Sequence, residues 1–267
     1  MNRFSYEGKW DHEDMSEAAH GRLLWALGFA VTLSPADYHQ KYNQMFADLI
    51  STTSILSDPH SISFAIMGLS HYLSQNADPT QLEHLESLTH HLVSNFQESK
   101  DNNWPWFTNT ITWGSAHIAR SLIIGGNTLK NQEIETKGKN LLKWLIISQI
   151  NNQNQFNFIG NKGWFHSEET PAVYDQQPIE AMAMVLACLE AYRIDESLFW
   201  IDHATRAIHW FLGDNINSCP LYDKETGGCF DGLTESGVNM NRGSESTLAW
   251  LISAMSYKMA SYSVSVS

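Results

Sequence analysis

Ala172-Val-Tyr-Asp-Gln-Gln-Pro-Ile-Glu-Ala-Met-Ala-Met-Val-Leu-Ala-Cys-Leu-Glu-Ala-Tyr192 begins as a polar loop and becomes a helix at Pro178. Proline suits the first helical position, because the N–H it lacks would have no intrahelical partner there. From Ile179 to Tyr192 small and apolar residues occupy nearly every face, so the spacing predicts a helix enclosed on all sides. Its N-terminus opens into Asp175, Gln176, Gln177 and Glu180, which brings polar groups to one mouth of an apolar body. A site is expected at that mouth.

Outward from this stretch, apolar periodicity predicts about nine helices and no strand run, near 16–33, 35–56, 60–76, 79–98, 112–125, 128–152, 178–193, 196–213 and 244–262. Ser34-Pro35, Asp58-Pro59, Asp78-Pro79 and Pro178 mark starts; Gly125-Gly126 and Gly213-Asp214 mark stops. The odd helices are apolar, as in Ile62-Ser-Phe-Ala-Ile-Met-Gly-Leu69, and the even ones amphipathic, as in Glu133–Ile150. Inner helices enclosed by outer ones read this way. Odd-to-even connections are short, whereas the even-to-odd connections 99–111, 153–177 and 214–243 are long. Structureless loops of such length in a compact domain are usually functional. Hairpins arrayed side by side would bring all three out at the N-termini of the odd helices. The expected fold is therefore all-α: a single domain over 1–267 forming an incomplete α/α toroid of helical hairpins. Residues 1–15 are read as an N-terminal extension and 263–267 as a flexible tail. An irregular bundle with loops pointing anywhere is the alternative.

Hydrophobic content of 43% with 10 Trp and 12 Phe is ample for a core. A net charge of −13 argues against a nucleic-acid partner, whose phosphates would repel it. The longest apolar runs, such as Leu23–Leu33, fall short of a membrane span. Met-Asn-Arg-Phe-Ser-Tyr-Glu at the start has no apolar h-region, so no secretory signal is expected. Three cysteines then read as reduced thiols, most simply in a cytoplasm, with pairing of Cys219 and Cys229 the alternative in an exported protein. Neither His90-His91 nor Cys219 with Cys229 has zinc-ligand spacing, so no metal and no cofactor are expected.

Each long loop carries candidate site residues. In 99–111, Trp104 and Trp106 straddle Pro105; aromatic faces can bury the C–H side of a sugar ring, and an indole N–H can donate to a hydroxyl. The plain alternative is a loop plug over the core. In 153–177, Trp164 and His166 could line a pocket wall, while Glu168 and Glu169 read as a solvated face. In 214–243 and the helix it enters, Asp223, Asp231, Asn239, Asn241 and Glu245 cluster with few bases nearby. Asp and Asn also build turns through their own backbone, which accounts for some of them. Glu180 and Glu245 both fall in the first turn of a helix, where the dipole favours a carboxylate by roughly 0.3–1 kcal/mol. Simple dipole complementation is the bland reading of each.

Phe158-Ile-Gly-Asn-Lys-Gly-Trp164, Tyr174-Asp-Gln-Gln-Pro-Ile-Glu-Ala181, Trp210-Phe-Leu-Gly-Asp-Asn215, the Leu221–Leu233 segment and Val238-Asn-Met-Asn241 with Glu245-Ser-Thr-Leu248 resemble a bacterial family of six-hairpin glycosidase-like toroids. Members of that family are often encoded beside glycosyltransferases and mannoside-processing enzymes. The resemblance is specific over residues 156–255 and looser over 16–30, around His20-Gly-Arg-Leu-Leu-Trp25. It implies the toroid fold and an association with carbohydrate. The departures are informative. Thr108 and Gly114 stand where the family pattern has acids, Ala18 replaces an acid before His20, and Arg242 replaces a Gln. The family's first hairpin is missing, and nine helices make about four and a half hairpins.

Glycoside hydrolysis needs a protonated acid and a carboxylate acting as base or nucleophile. Asp175, Glu180, Asp231 and Glu245 could furnish the pair. Glu180 and Glu245, at helix N-termini, are expected to lean toward the ionised role. Asp231, in Cys229-Phe-Asp-Gly-Leu233, is expected to have the raised pKa and the acid role. Trp104, Trp106, Trp164, His166, Gln176, Gln177, Asp223, Asn239 and Asn241 are the expected substrate-binding residues. A catalytically depleted glycan-binding or scaffold relative is the second reading, motivated by Thr108 and Gly114. A polysaccharide lyase using Tyr174 or His166 as base stays open, whereas a terpene cyclase would want an Asp-rich run that is missing. An incomplete ring also predicts bare apolar flanks around Leu23–Phe29 and Leu248–Met255, to be closed on each other or covered by a second copy or other partner.

Overall fold

The computed structural model describes residues 3–4, 7–11, 16–53, 56–96 and 104–266. Residues 1–2, 5–6 and 12–15 of the expected extension, 54–55 and 97–98 of the expected second and fourth helices, 99–103 of the first long loop and Ser267 of the expected tail lie outside the described residues.

Nine helices stand among the described residues: α1 (Glu17–Leu33), α2 (Ala36–Ile50), α3 (Pro59–Leu73), α4 (Pro79–Ser94), α5 (Ser115–Thr128), α6 (Gln132–Ser148), α7 (Pro178–Asp195), α8 (Leu198–Phe211) and α9 (Ser244–Val266). The Asp-Pro starts work as their chemistry requires. Asp58 and Asp78 accept the N–H of Ser61 at 2.8 Å and of Gln81 at 3.1 Å, with proline in the first turn after each. α9 runs through Val266, so most of the segment expected as a tail is helical.

Gly125-Gly126 does not stop α5, which continues through both to Thr128. The two glycines serve close packing instead. A Cβ on Gly126 would sit 2.5 Å from the Glu135 nitrogen, and one on Gly125 would sit 3.0 Å from Ile66.

The chain divides into two compact units: residues 1–95 with 121–137, and residues 96–120 with 138–267. In the first, α1 lies against α3 so closely that main chain meets main chain. A Cβ on Gly28 would fall 2.1 Å from the Gly68 carbonyl oxygen, and one on Gly21 2.6 Å from that of Ser61. α3 is buried from His60 to Ser70, whereas α2 buries only Phe46 and Ile50.

In the second unit, α7 is enclosed from Pro178 to Cys188, as its composition predicts. Against it pack α8 and α9, and beside these lies an aromatic stack. Phe156 and Phe158 are parallel at 4.9 Å, and Phe158 meets Trp210 edge-on at 5.4 Å. The expected apolar flanks are indeed solvent-facing: Leu23 and Phe29 on α1 are each 48% exposed, and Leu248 and Met255 on α9 are 55% and 64%. No helix among the described residues is long and apolar enough to cross a membrane. Cys188, Cys219 and Cys229 are all free thiols.

No strand is longer than three residues among the described residues, but three short antiparallel pairs occur in the loops: β1 (Arg3–Phe4) with β2 (Trp10–Asp11), β3 (Thr110–Ile111) with β4 (Phe165–His166), and β5 (Gly232–Thr234) with β6 (Gly237–Asn239). One of these pairings and one isolated bridge tie the loops together. β3–β4 joins the first long loop to the second through Thr110 opposite His166. The Gln176–Leu233 bridge joins the second loop to β5 in the third, with N···O distances of 3.0 and 2.8 Å. The three long loops are thereby tied to one another within this unit.

Candidate active site

Gln177 is the residue before Pro178 on which α7 begins, and no side chain caps that end. Around it a crevice of about 240 Å³ is lined by Asp175, Gln177, Asp231, Asn239 and Glu245 of the expected site residues. Asn161, Thr234 and Ser246 complete its polar wall and were not expected. They come from a Gly-Asn turn, from the end of β5 and from the first turn of α9. The residue types signal nothing by themselves: Thr234 arrives through β5 and its bridge to Gln176, Asn161 through its N–H bond to the Asp175 carbonyl at 2.9 Å, and Ser246 through its bond to Asp231.

Asp231 is the most elaborately held of the acids. Its Oδ1 accepts the Gly243 N–H at 2.7 Å, its Oδ2 accepts the Asn241 amide, and Ser246 donates as well. Burial raises its pKa, but these donors outweigh burial and leave it below the ordinary value. Asp231 therefore stands ionised, which corrects the expectation of a raised pKa. Its sequence neighbours Phe230 and Leu233 are apolar, but the carboxylate faces backbone and amide donors ten to twelve residues ahead.

Glu180 is the reverse case. It sits in the first turn of α7, only 4% exposed, and its Oε1 accepts the Gly114 N–H at 2.7 Å. Burial pushes its pKa up, and the charge of Glu245 adds to this against the Gly114 bond, so that it reaches about 8. The expectation of an ionised Glu180 is thus overturned. A helix dipole offers roughly 0.3–1 kcal/mol, whereas a rise from 4.5 to about 8 corresponds to roughly 5 kcal/mol. Gly114, where the family pattern has an acid, holds φ +60° and presents its N–H to Glu180.

Several expected sugar contacts are engaged elsewhere. Gln176 is fully buried; its Oε1 accepts from Trp210 Nε1 at 2.9 Å and Phe158 N at 3.2 Å. Its Nε2 donates to Asn157 Oδ1 at 2.7 Å and the Val173 carbonyl at 3.0 Å. Every bonding position is used, so Gln176 is a clamp between loops and leaves nothing for a ligand.

Trp106 is 3% exposed and donates its indole N–H to the Thr110 carbonyl at 3.2 Å. Trp104 donates to the Thr108 carbonyl at 2.8 Å and packs edge-on against Trp144 and Phe165. The plug reading holds for both. Asp223 accepts from Thr226 at 2.7 Å and pairs with Arg242 at 2.8 Å, shaping a turn outside the crevice lining. His166 bonds Thr110 across β3–β4 at 2.8 Å, Trp164 holds φ +59°, and neither lines the crevice. Asn241 acts on Asp231 rather than lining the crevice itself.

No protein-family model and no curated protein matches the chain. Solved structures do match it. An α-mannanase of glycoside hydrolase family 76 from Bacteroides thetaiotaomicron superposes with a TM-score of 0.65 at 10% identity, covering 94% of this chain and 70% of its own. A cellobiose 2-epimerase from Bacillus thermoamylovorans gives 0.65 at 11% identity, covering 91% and 71%. An unsaturated glucuronyl hydrolase specific for heparin gives 0.57 at 13% identity, covering 85% and 67%. At such identities the likeness establishes the fold: all-α, an α/α toroid of the six-hairpin glycosidase type.

Proposed function

We propose that the chain is a carbohydrate-active protein of the bacterial toroid family it resembles, a glycoside hydrolase-like enzyme acting on an oligosaccharide or glycan held in the crevice. One observation carries this reading. Asp175, Asp231 and Glu245 converge on a single polar crevice in which Asp231 is held ionised, while Glu180, within the field of Glu245, is held neutral. Titratable groups whose surroundings push their pKa values apart are the pattern of an acid and a base. The roles are therefore the reverse of those expected from sequence: Glu180, buried in the first turn of α7, carries the proton, and Asp231 is the carboxylate acting as base or nucleophile. Asn161, Gln177 and Asn239 offer amides to hydroxyls.

The test is release of reducing sugar from a broad glycoside panel. Asp231→Asn and Glu180→Gln should each lower turnover at least 100-fold with the fold intact. Undiminished turnover in both variants refutes the assignment.

A second reading, a glycan-binding relative without catalysis, is favoured by two observations: Glu180 is not among the residues lining the crevice, and the indole N–H groups of Trp104 and Trp106 are taken by the protein's own carbonyls. Saturable binding with no product across the panel supports that reading.

A further inference from the structure

Resting on the reading that this crevice holds a glycan, we propose that it selects uncharged sugar units and rejects those carrying carboxylate, phosphate or sulfate. The crevice wall presents Asp175, Asp231 and Glu245, and among the described residues no Lys, Arg or His lines it. The groups that fix Asp231 are the Gly243 N–H, the Asn241 amide and the Ser246 hydroxyl. All three are neutral, so they orient the charge without cancelling it. Two bases adjoin lining residues in sequence: Lys162, beside Asn161, is exposed and does not line the crevice, and Arg242, beside Gly243, is committed outside it. Its guanidinium lies 2.8 Å from Asp223 and 4.7 Å above the Phe230 ring.

Sugar hydroxyls can donate to such carboxylates in charge-assisted hydrogen bonds, which are the strong kind. The carboxylate of a uronate, or a phosphate or sulfate group, brings acceptors only and adds like charge well within a Debye length, where salt screens it incompletely. The fold itself leaves the choice open, since both a mannanase and a glucuronyl hydrolase share it. The decision falls to the charge of the lining, and here that charge is of one sign.

Two measurements separate this inference from the reading beneath it. In the first, amide relaxation at Gly232, Asn239 and Gly243 is compared in the presence of a neutral and an anionic nitroxide of equal size. The anionic probe should be at least fivefold weaker, and the gap should close in the Asp175→Asn/Asp231→Asn double variant. Equal approach of the two probes overturns the charge selection.

In the second, binding of neutral gluco-, manno- and xylo-oligosaccharides is compared by calorimetry with their uronate-bearing and phosphorylated counterparts in 0.15 M salt. Neutral ligands should bind at least 30-fold more tightly, with the difference shrinking in the double variant. Anionic ligands binding as tightly as neutral ones overturn the inference. If no glycan binds while the anionic probe is still excluded, the glycan reading falls and anion rejection by the crevice stands.

Discussion

Replacing Glu180 by Gln should make the protein more stable and less active at the same time. The ordinary carboxyl ionises near 4.5, whereas in the folded protein Glu180 does so at about 8. Below pH 4.5 both folded and unfolded chains carry the proton, and this group costs nothing. Between 4.5 and 8 the unfolded chain releases the proton while the folded chain keeps it, so stability falls as pH rises. At 1.36 kcal/mol per pH unit the accumulated loss at pH 7 is roughly 3 kcal/mol, levelling at roughly 5 kcal/mol above pH 8. Gln has the same shape, never ionises, and its carbonyl can still accept the Gly114 N–H now made to Oε1 at 2.7 Å. Glu180→Gln should therefore raise the melting temperature at pH 7 by roughly 6–8 °C. Calorimetry from pH 5 to 8.5 on both proteins is the assay: the curves should meet at the acid end and diverge upward. Curves that stay parallel over that range would mean that Glu180 is ionised when folded, and the proton-carrying role would go with it.

Trp106→Ala should unfold the protein more readily by roughly 3–5 kcal/mol in a denaturant titration, because it empties a site that is 3% exposed; a stable variant that only binds glycan less well would contradict the plug reading. Gln176→Leu should cost roughly 3 kcal/mol, since it strands the Trp210 indole N–H and the Phe158 N–H without an acceptor, and near-neutral stability would show that water or another acceptor replaces it. Gly243→Ala places a Cβ 2.9 Å from Asp231 Oδ1, so the carboxylate must shift; turnover or glycan affinity should fall at least tenfold with stability changed by less than about 1 kcal/mol. A crystal structure of this variant with Asp231 unmoved would refute that geometry.

The helices were legible because their signals are local. Pro178 at a first turn, Asp-Pro pairs that cap, and the small residues of Ile179–Ala191 act within a few positions of themselves. Gly125-Gly126 misled for the converse reason: the pair answers to Glu135 and Ile66, and glycine for close approach looks like glycine for a stop. The strands β5 and β6 have three residues each, too few for an alternating pattern to register. Within the site, Asp175, Gln177, Asp231, Asn239 and Glu245 were found because acids and amides crowd two loops. Their protonation was not, because it depends on what each carboxyl faces. Glu180 faces protein interior, and Asp231 faces donors that its own Cys-Phe-Asp-Gly-Leu neighbourhood does not reveal. The tryptophans looked like sugar platforms only while the carbonyls of Thr108 and Thr110 were not known to take their N–H groups.

The crossing of α1 and α3 limits how far this protein's sequence can drift. What stands in the way of a side chain at positions 21, 28 and 68 is a carbonyl oxygen, that of Ser61, Gly68 and Leu24 respectively. A crowded neighbouring side chain can be trimmed by a second mutation, but an oxygen of the main chain belongs to every amino acid. No compensating change at the facing residue can therefore open these positions, and only a displacement of one whole helix would do so. In a saturation library, the three positions should stand out as glycine and nothing else, while the exposed faces of the same helices accept broad replacement.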